Sequence, residues 1–216
     1  MTRELIILVA DGTMAAVFRA FFERRFHHAL ACAPFDFNPT SDILHDPLNT
    51  DGGVHRRCQE ILRPYLNTHR RALVVLDRHF GGERPAEEVR GDIEHQLNAN
   101  GWTGRAAAAV IDPELEVLLW QDNPHVERAL RYTGPSLRQH LAQDGRWPEG
   151  TAKPPAPKEV IQALIRTNRA GPPMVVYSQI VRAVSTARCI DPAFHRVRDA
   201  LRAWFPRRAD EDRDDS

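Results

Sequence analysis

Three apolar runs in this 216-residue chain end in acids, and these acids are the residues whose type and spacing could do chemistry. Glu4 to Ala10 (ELIILVA) leads into Asp11-Gly12; Ala72 to Leu76 leads into Asp77, with His79 two residues on; Arg105 to Ile111 (RAAAAVI) leads into Asp112, Glu114 and Glu116. Carboxylates gathered in one place repel one another and are costly to desolvate unless a cation neutralises them. A hard divalent ion such as Mg²⁺ suits that task, because it takes oxygen ligands and keeps waters for a phosphate substrate. Such an ion stabilises charge on phosphoryl oxygens and activates a water or hydroxyl nucleophile. The candidate catalytic residues are therefore Asp11, Asp77 and Glu114, and the candidate metal ligands Asp11, Asp77, His79, Glu114 and Glu116, for Mg²⁺ or Mn²⁺. Each acid alone also has a structural reading; Asp11, for one, can cap the helix that follows, with Gly12 only permitting the turn.

What must position these acids is a sheet. Short continuous apolar runs bounded by turn signals read as strands buried on both faces. Between them the spacing turns helical: Val17, Phe18, Phe21, Phe22 and Phe26 after the candidate cap Thr13, then Ile61, Leu62 and Leu66 within residues 54–66, then Val89, Ile93 and Leu97 within 87–100, closed by Gly101. A further short strand is predicted at 30–37, pushed to an edge by Pro34, and residues 38–53, rich in Pro, Asn, Asp and Gly, read as an irregular loop. Alternating strands and helices imply right-handed crossovers and an α/β fold, a mostly parallel sheet with helices on both faces. Open sheets of that kind bind ligands at the carboxyl ends of their strands, where these acids fall.

The remainder reads as helical. Residues 115–120 start a helix or a sharp turn, and helices are predicted over 124–132, 135–144, 159–168, 176–185 and 192–205, with a Pro-rich linker at 146–158. The division that follows is an α/β domain over 1–123, a helical subdomain over 124–208 and a disordered acidic tail over 209–216.

Composition fits a globular chain, 42% hydrophobic and 27% charged. No run approaches the ~18 apolar residues of a membrane span, and no signal-peptide pattern opens the sequence, so a cytoplasmic protein is expected. Cys32, Cys58 and Cys189 are far apart and form no CxxC pair, which points to reduced structural thiols. The formal net charge of +0 conceals an asymmetry: net −5 over 1–123, +9 over 124–208 and −4 over 209–216. The basic stretch is a candidate surface for a nucleic-acid backbone or an acidic partner, and Lys153, Lys158, Arg166 and Arg169 could line a phosphate path or equally form a solvated face. Ser178 and Cys189 lie in no nucleophile motif, and no GxxxxGK[ST] loop is present, so any ATP hydrolysis would come from a partner.

LVADG and VVLDRHF together resemble a Toprim-like domain, the metal-binding α/β module of topoisomerases, primases and overcoming-lysogenization-type nucleases. In that family the first strand ends in an acid and glycine, and a later one in Asp-x-Asp. Asp11 stands at the first acid and Asp77 at the first Asp of the pair, whereas His79 stands where the second Asp is the rule. Histidine is a poor Mg²⁺ ligand but a good one for Mn²⁺, Fe²⁺ or Zn²⁺, so the resemblance implies either a softer metal or lost catalysis. IDPELEVLLWQDNPHV is similar to a segment of small bacterial Toprim-like proteins encoded beside ATPases in phage-defence loci, with Glu114, Glu116 and Asp122 matching its acids. The segments KPPAPKEV, SQIVRAVS and CIDPAFHRVRDALRAWFP resemble the fourth component of the bacterial methylation-associated defence system. These resemblances imply a metal-binding defence protein that acts on or binds DNA, alongside other defence proteins that include an ATPase, and that can oligomerise. The reading from another class is a non-catalytic scaffold in which the same acids are caps and ion-pair partners.

Overall fold

The computed structural model describes residues 2–24, 26–82, 84–186 and 189–207. The tail expected at 209–216 lies outside them. Four strands form one all-parallel sheet: β1 (Arg3–Val9), β2 (Ile43–His45), β3 (His69–Asp77) and β4 (Ala106–Ile111), in the order β2-β1-β3-β4. Leu5 to Val9 and Ala72 to Leu76 are sealed from solvent, which is why both read as unbroken apolar runs rather than alternating ones. Val9 pairs with Val75, and Asp77 with Ile111, so the acids after β1, β3 and β4 leave the sheet at one edge.

The helices of the first half are α1 (Gly12–Phe22), α2 (Phe26–Leu30), α3 (Pro39–Asp42), α4 (Asp51–Leu62) and α5 (Ala86–Leu97). Those of the second are α6 (Pro124–Ala129), α7 (Leu137–Gln143), α8 (Pro157–Thr167), α9 (Pro173–Ala183) and α10 (Pro192–Trp204). The chain steps one way along the sheet from β1 to β2 and the other way from β2 to β3, so right-handed crossovers put α1 and α4 on opposite faces. Helix α5 joins α4, whereas α9 packs on α1 and α10 on β4. One apolar core runs without a break from β1 through to Leu201 of α10.

Three expectations need correction. Leu30 ends α2, and residues 32–38 form no strand; Phe35 and Phe37 instead enter an aromatic cluster with Phe22, Phe26 and Phe205, in which Phe35 stacks on Phe205 at 3.9 Å between centroids. The second strand is Ile43–His45, inside the segment read as irregular loop; a three-residue edge strand needs only Ile43 facing the core, and the polar residues around it concealed the pairing of Ile7 with Ile43. Residues 146–158 are likewise no free tether. Trp147 and Pro154 are buried, Trp147 meets Trp120 edge-on at 5.4 Å, Arg138 lies over the Trp147 ring, and the Trp120 indole N–H donates to the Pro157 carbonyl at 2.9 Å.

Candidate functional site

The acids differ in what holds them. Asp11 is the N-cap of α1: its Oδ1 accepts the Met14 N–H at 2.8 Å, satisfying one of the helix's free donors. Asp77 is the last residue of β3, and its backbone N–H donates to Asp51 Oδ1 at 2.7 Å. Asp51 opens α4, and a node beneath it fixes where that helix starts. Buried Asp46 accepts the Thr50 hydroxyl at 3.2 Å and an Arg57 N–H at 2.6 Å, and Thr50 Oγ1 in turn caps α4 by accepting the Gly53 N–H at 3.0 Å. Gly53 has no alternative here, because a Cβ would collide with Asp46 Oδ2 and Thr50 Oγ1.

After β4 the acids part company. Asp112 is exposed and paired with Arg78 at 2.6 Å. The chain then turns through a short 3₁₀ helix, Leu115–Leu118, which sends Glu114 and Glu116 to different partners. Glu114 Oε1 accepts the backbone N–H of Lys158, in the first turn of α8, at 3.1 Å, while its Oε2 lies 3.6 Å from the Lys158 ammonium. Glu116 is buried at 4% exposure; its Oε1 accepts the Tyr177 hydroxyl from α9 at 3.0 Å. Its Oε2 and Asp77 Oδ1 are buried without a hydrogen-bond partner.

That orphaning shows in the electrostatics. Burial, then the neighbouring Asp51 and Glu116, push the Asp77 carboxyl from its ordinary 3.8 up to about 9, against the opposing charge of Lys158. Burial raises Asp51 as well, with Asp11 adding to it, and burial raises Glu116 while Lys158 opposes. Burial works against the Lys158 ammonium and is outweighed by Glu116, Glu114 and Asp77, which hold it above its ordinary value. Without an added cation, Asp77 therefore keeps its proton at neutral pH.

An open cleft of about 680 Å³ lies over this group, lined by Asp51, Asp77, His79, Glu114, Pro157 and Lys158. The structure thus brings together Asp77, His79, Glu114 and Lys158 from the candidates, with Glu116 close to Asp77 and Lys158 in charge and Asp11 close to Asp51. His79 is exposed at the start of a one-turn 3₁₀ helix, His79–Gly81. The other basic candidates lie elsewhere: Lys153 donates to the Trp120 carbonyl and is lowered by burial, and Arg166 and Arg169 line a separate hollow of about 490 Å³ with Gln162 and Pro173. Arg166 follows Lys158 by eight residues on one helix, roughly 12 Å along its axis. Among the described residues, no group of three or more His, Cys, Asp and Glu side chains is already arranged to hold a metal ion.

Sequence reasoning missed Asp51 and Tyr177, and missed that Lys158 faces the acids. Thr50-Asp51-Gly52-Gly53 carries a cap signal that could have found the first. Tyr177 carries none, since its partner is 61 residues away. Comparison of the chain with protein-family models, with curated proteins and with solved structures returns no match.

Proposed function

We propose that the cleft is a divalent-cation site of a Toprim-like protein that acts on the phosphodiesters of nucleic acid, as a metal-dependent nuclease in a bacterial antiphage system. The observation that carries this reading is the pair of buried, unpartnered carboxylate oxygens, Asp77 Oδ1 and Glu116 Oε2, amid acids of like charge. Buried polar atoms ordinarily find partners, so two orphans in one acidic cluster suit carboxylates that ligate a cation. The lack of a preformed three-ligand cage accords with Mg²⁺ or Mn²⁺, since Mg²⁺ is usually held by one or two carboxylates, waters and substrate phosphates. Asp77 and Glu116 are the ligands proposed first, and Glu114 and His79, which line the same cleft as Asp77, complete the set; Asp11 adjoins Asp51 rather than these residues.

A cation held there would supply charge neutralisation on a phosphodiester and an activated water. The chain's own residues do the rest. Asp51 fixes the backbone of Asp77, Tyr177 orients Glu116, and Lys158 contributes positive charge to the cleft wall, where a phosphate backbone would be attracted. Arg166, near the end of α8, and Arg169, just beyond it, line a separate hollow that offers a second patch of positive charge. The defence role, DNA as substrate and an ATPase partner rest on the sequence resemblances.

A second reading, the non-catalytic scaffold, is favoured by Asp11, whose Oδ1 is engaged in capping α1, and by an exposed His79 in place of the second Asp. Calorimetric titration with Mn²⁺ and Mg²⁺, wild type beside Asp77→Asn, separates the two. Saturable binding abolished by the substitution, together with Mn²⁺-dependent DNA cleavage lost in it, is the expected result; cleavage undiminished in Asp77→Asn overturns the nuclease assignment.

A further inference from the structure

Lys158 is placed against the preference of its own helix. It stands at the second position of α8, where the positive end of the helix dipole disfavours a cation. What holds it there is the acid cluster: its ammonium lies 3.6 Å from Glu114 Oε2 and within electrostatic reach of Asp77 and Glu116. The start of the helix is anchored independently of that ammonium, by Glu114 Oε1 on the Lys158 backbone N–H and by the Trp120 indole on the Pro157 carbonyl. The side chain is 46% exposed and lines the cleft, so it can swing while the backbone stays in place. And it offsets charge without completing any coordination: Asp77 Oδ1 and Glu116 Oε2 remain without partners while the Lys158 ammonium is ion-paired with Glu114.

We infer that Lys158 is the built-in counter-ion of the metal-free site, a gate whose ammonium competes with a divalent cation for the Glu114 end of the acid cluster and swings towards the cleft mouth when that cation binds. The inference rests on the metal reading above and adds its regulation. The competition weakens metal binding in the resting protein and delivers the freed ammonium to the wall of the cleft, where it meets phosphate. Loading is then favoured when metal and a polyanionic substrate arrive together, because the substrate takes up the charge that the metal displaces.

The test is titration with Mn²⁺ alone. Removing one close positive charge from a half-buried site should tighten Mn²⁺ binding by roughly tenfold in Lys158→Met, while Lys158→Arg, which keeps the charge, stays near wild type. Equal affinity in wild type and Lys158→Met overturns the gate and leaves the metal site standing, as does equal tightening in Lys158→Arg. Absence of saturable binding to wild type and Lys158→Met alike overturns both. A readout on the wild-type protein needs no substitution: acylation of Lys158 by an amine-selective reagent, followed by peptide mass spectrometry, should speed up several-fold when Mn²⁺ is added, and an unchanged rate overturns the gate.

Discussion

The backbone N–H of Asp77 donates to the side chain of Asp51 at 2.7 Å, so two acids of adjacent elements are locked together in spite of the repulsion that ionising both would bring. A bond of this kind holds the geometry and leaves the electrostatic cost in place. Burial and Asp51 together keep the Asp77 carboxyl near 9, and Asp51 is itself raised by burial and by Asp11.

Asp77→Asn should therefore stabilise the metal-free protein, and more so at alkaline pH. With a folded pKa of about 9 against an ordinary 3.8, the native state binds the proton more tightly than the unfolded chain, so this group's contribution is fully present below pH ~4 and is lost as pH rises towards 9. Thermal melts of wild type and Asp77→Asn from pH 5 to pH 9 check this. The wild type should lose Tm relative to the variant across that window, with each kcal/mol worth about 2–4 °C at this chain length. Parallel curves would mean that Asp77 is not buried as an acid.

The partner test concerns Asp51. Its neutralisation as Asp51→Asn keeps an acceptor for the Asp77 N–H and removes the nearest like charge, so the Asp77 titration midpoint should move down from about 9. Carboxyl-carbon NMR of the metal-free protein reads that midpoint directly.

Tyr177→Phe deletes the donor to Glu116 Oε1 and leaves both oxygens of a buried carboxyl unpaired. The cost should be about 1–3 kcal/mol, the usual penalty for a stranded buried group. Chemical denaturation supplies the number, and the unfolding slope should not change.

Gly53→Ala should be among the most damaging small substitutions in the chain. The added methyl meets Asp46 and Thr50, breaking the node that starts α4 and carries Asp51 to the cleft. A loss of at least about 2 kcal/mol follows from a strained cap and a disrupted buried carboxylate, together with weaker Mn²⁺ binding in the calorimetric titration.

Cys58 is buried, and desolvation pushes its thiol up to about 11; burial raises Cys32 in the same way. Both should resist alkylation at pH 8 until the protein is unfolded, which mass spectrometry of iodoacetamide-treated samples checks.

Where burial on both sides leaves an unbroken apolar signature, the sequence is transparent: β1, β3 and β4 and the acids at their ends are legible in it. Ile43–His45 is not, because an edge strand of three residues has no periodicity to show and is defined only by its pairing with β1. The site divides along the same line. Asp77 and Glu114 announce themselves by following strands, whereas Asp51 looks like a loop residue until Thr50 is seen to begin a helix there. Tyr177 and Lys158 meet the acids only through the packing of α8 and α9, a long-range relationship that no local spacing encodes.

The bonds that Glu114 and Glu116 make to residues 158 and 177 also set an order of events during synthesis. A nascent chain that has released its four strands, the last of which ends at Ile111, holds neither the ammonium nor the phenol. The cluster is finished only when the ribosome has let go of α8 and α9, so a chain stalled before residue 158 would carry the acids but not their restraint.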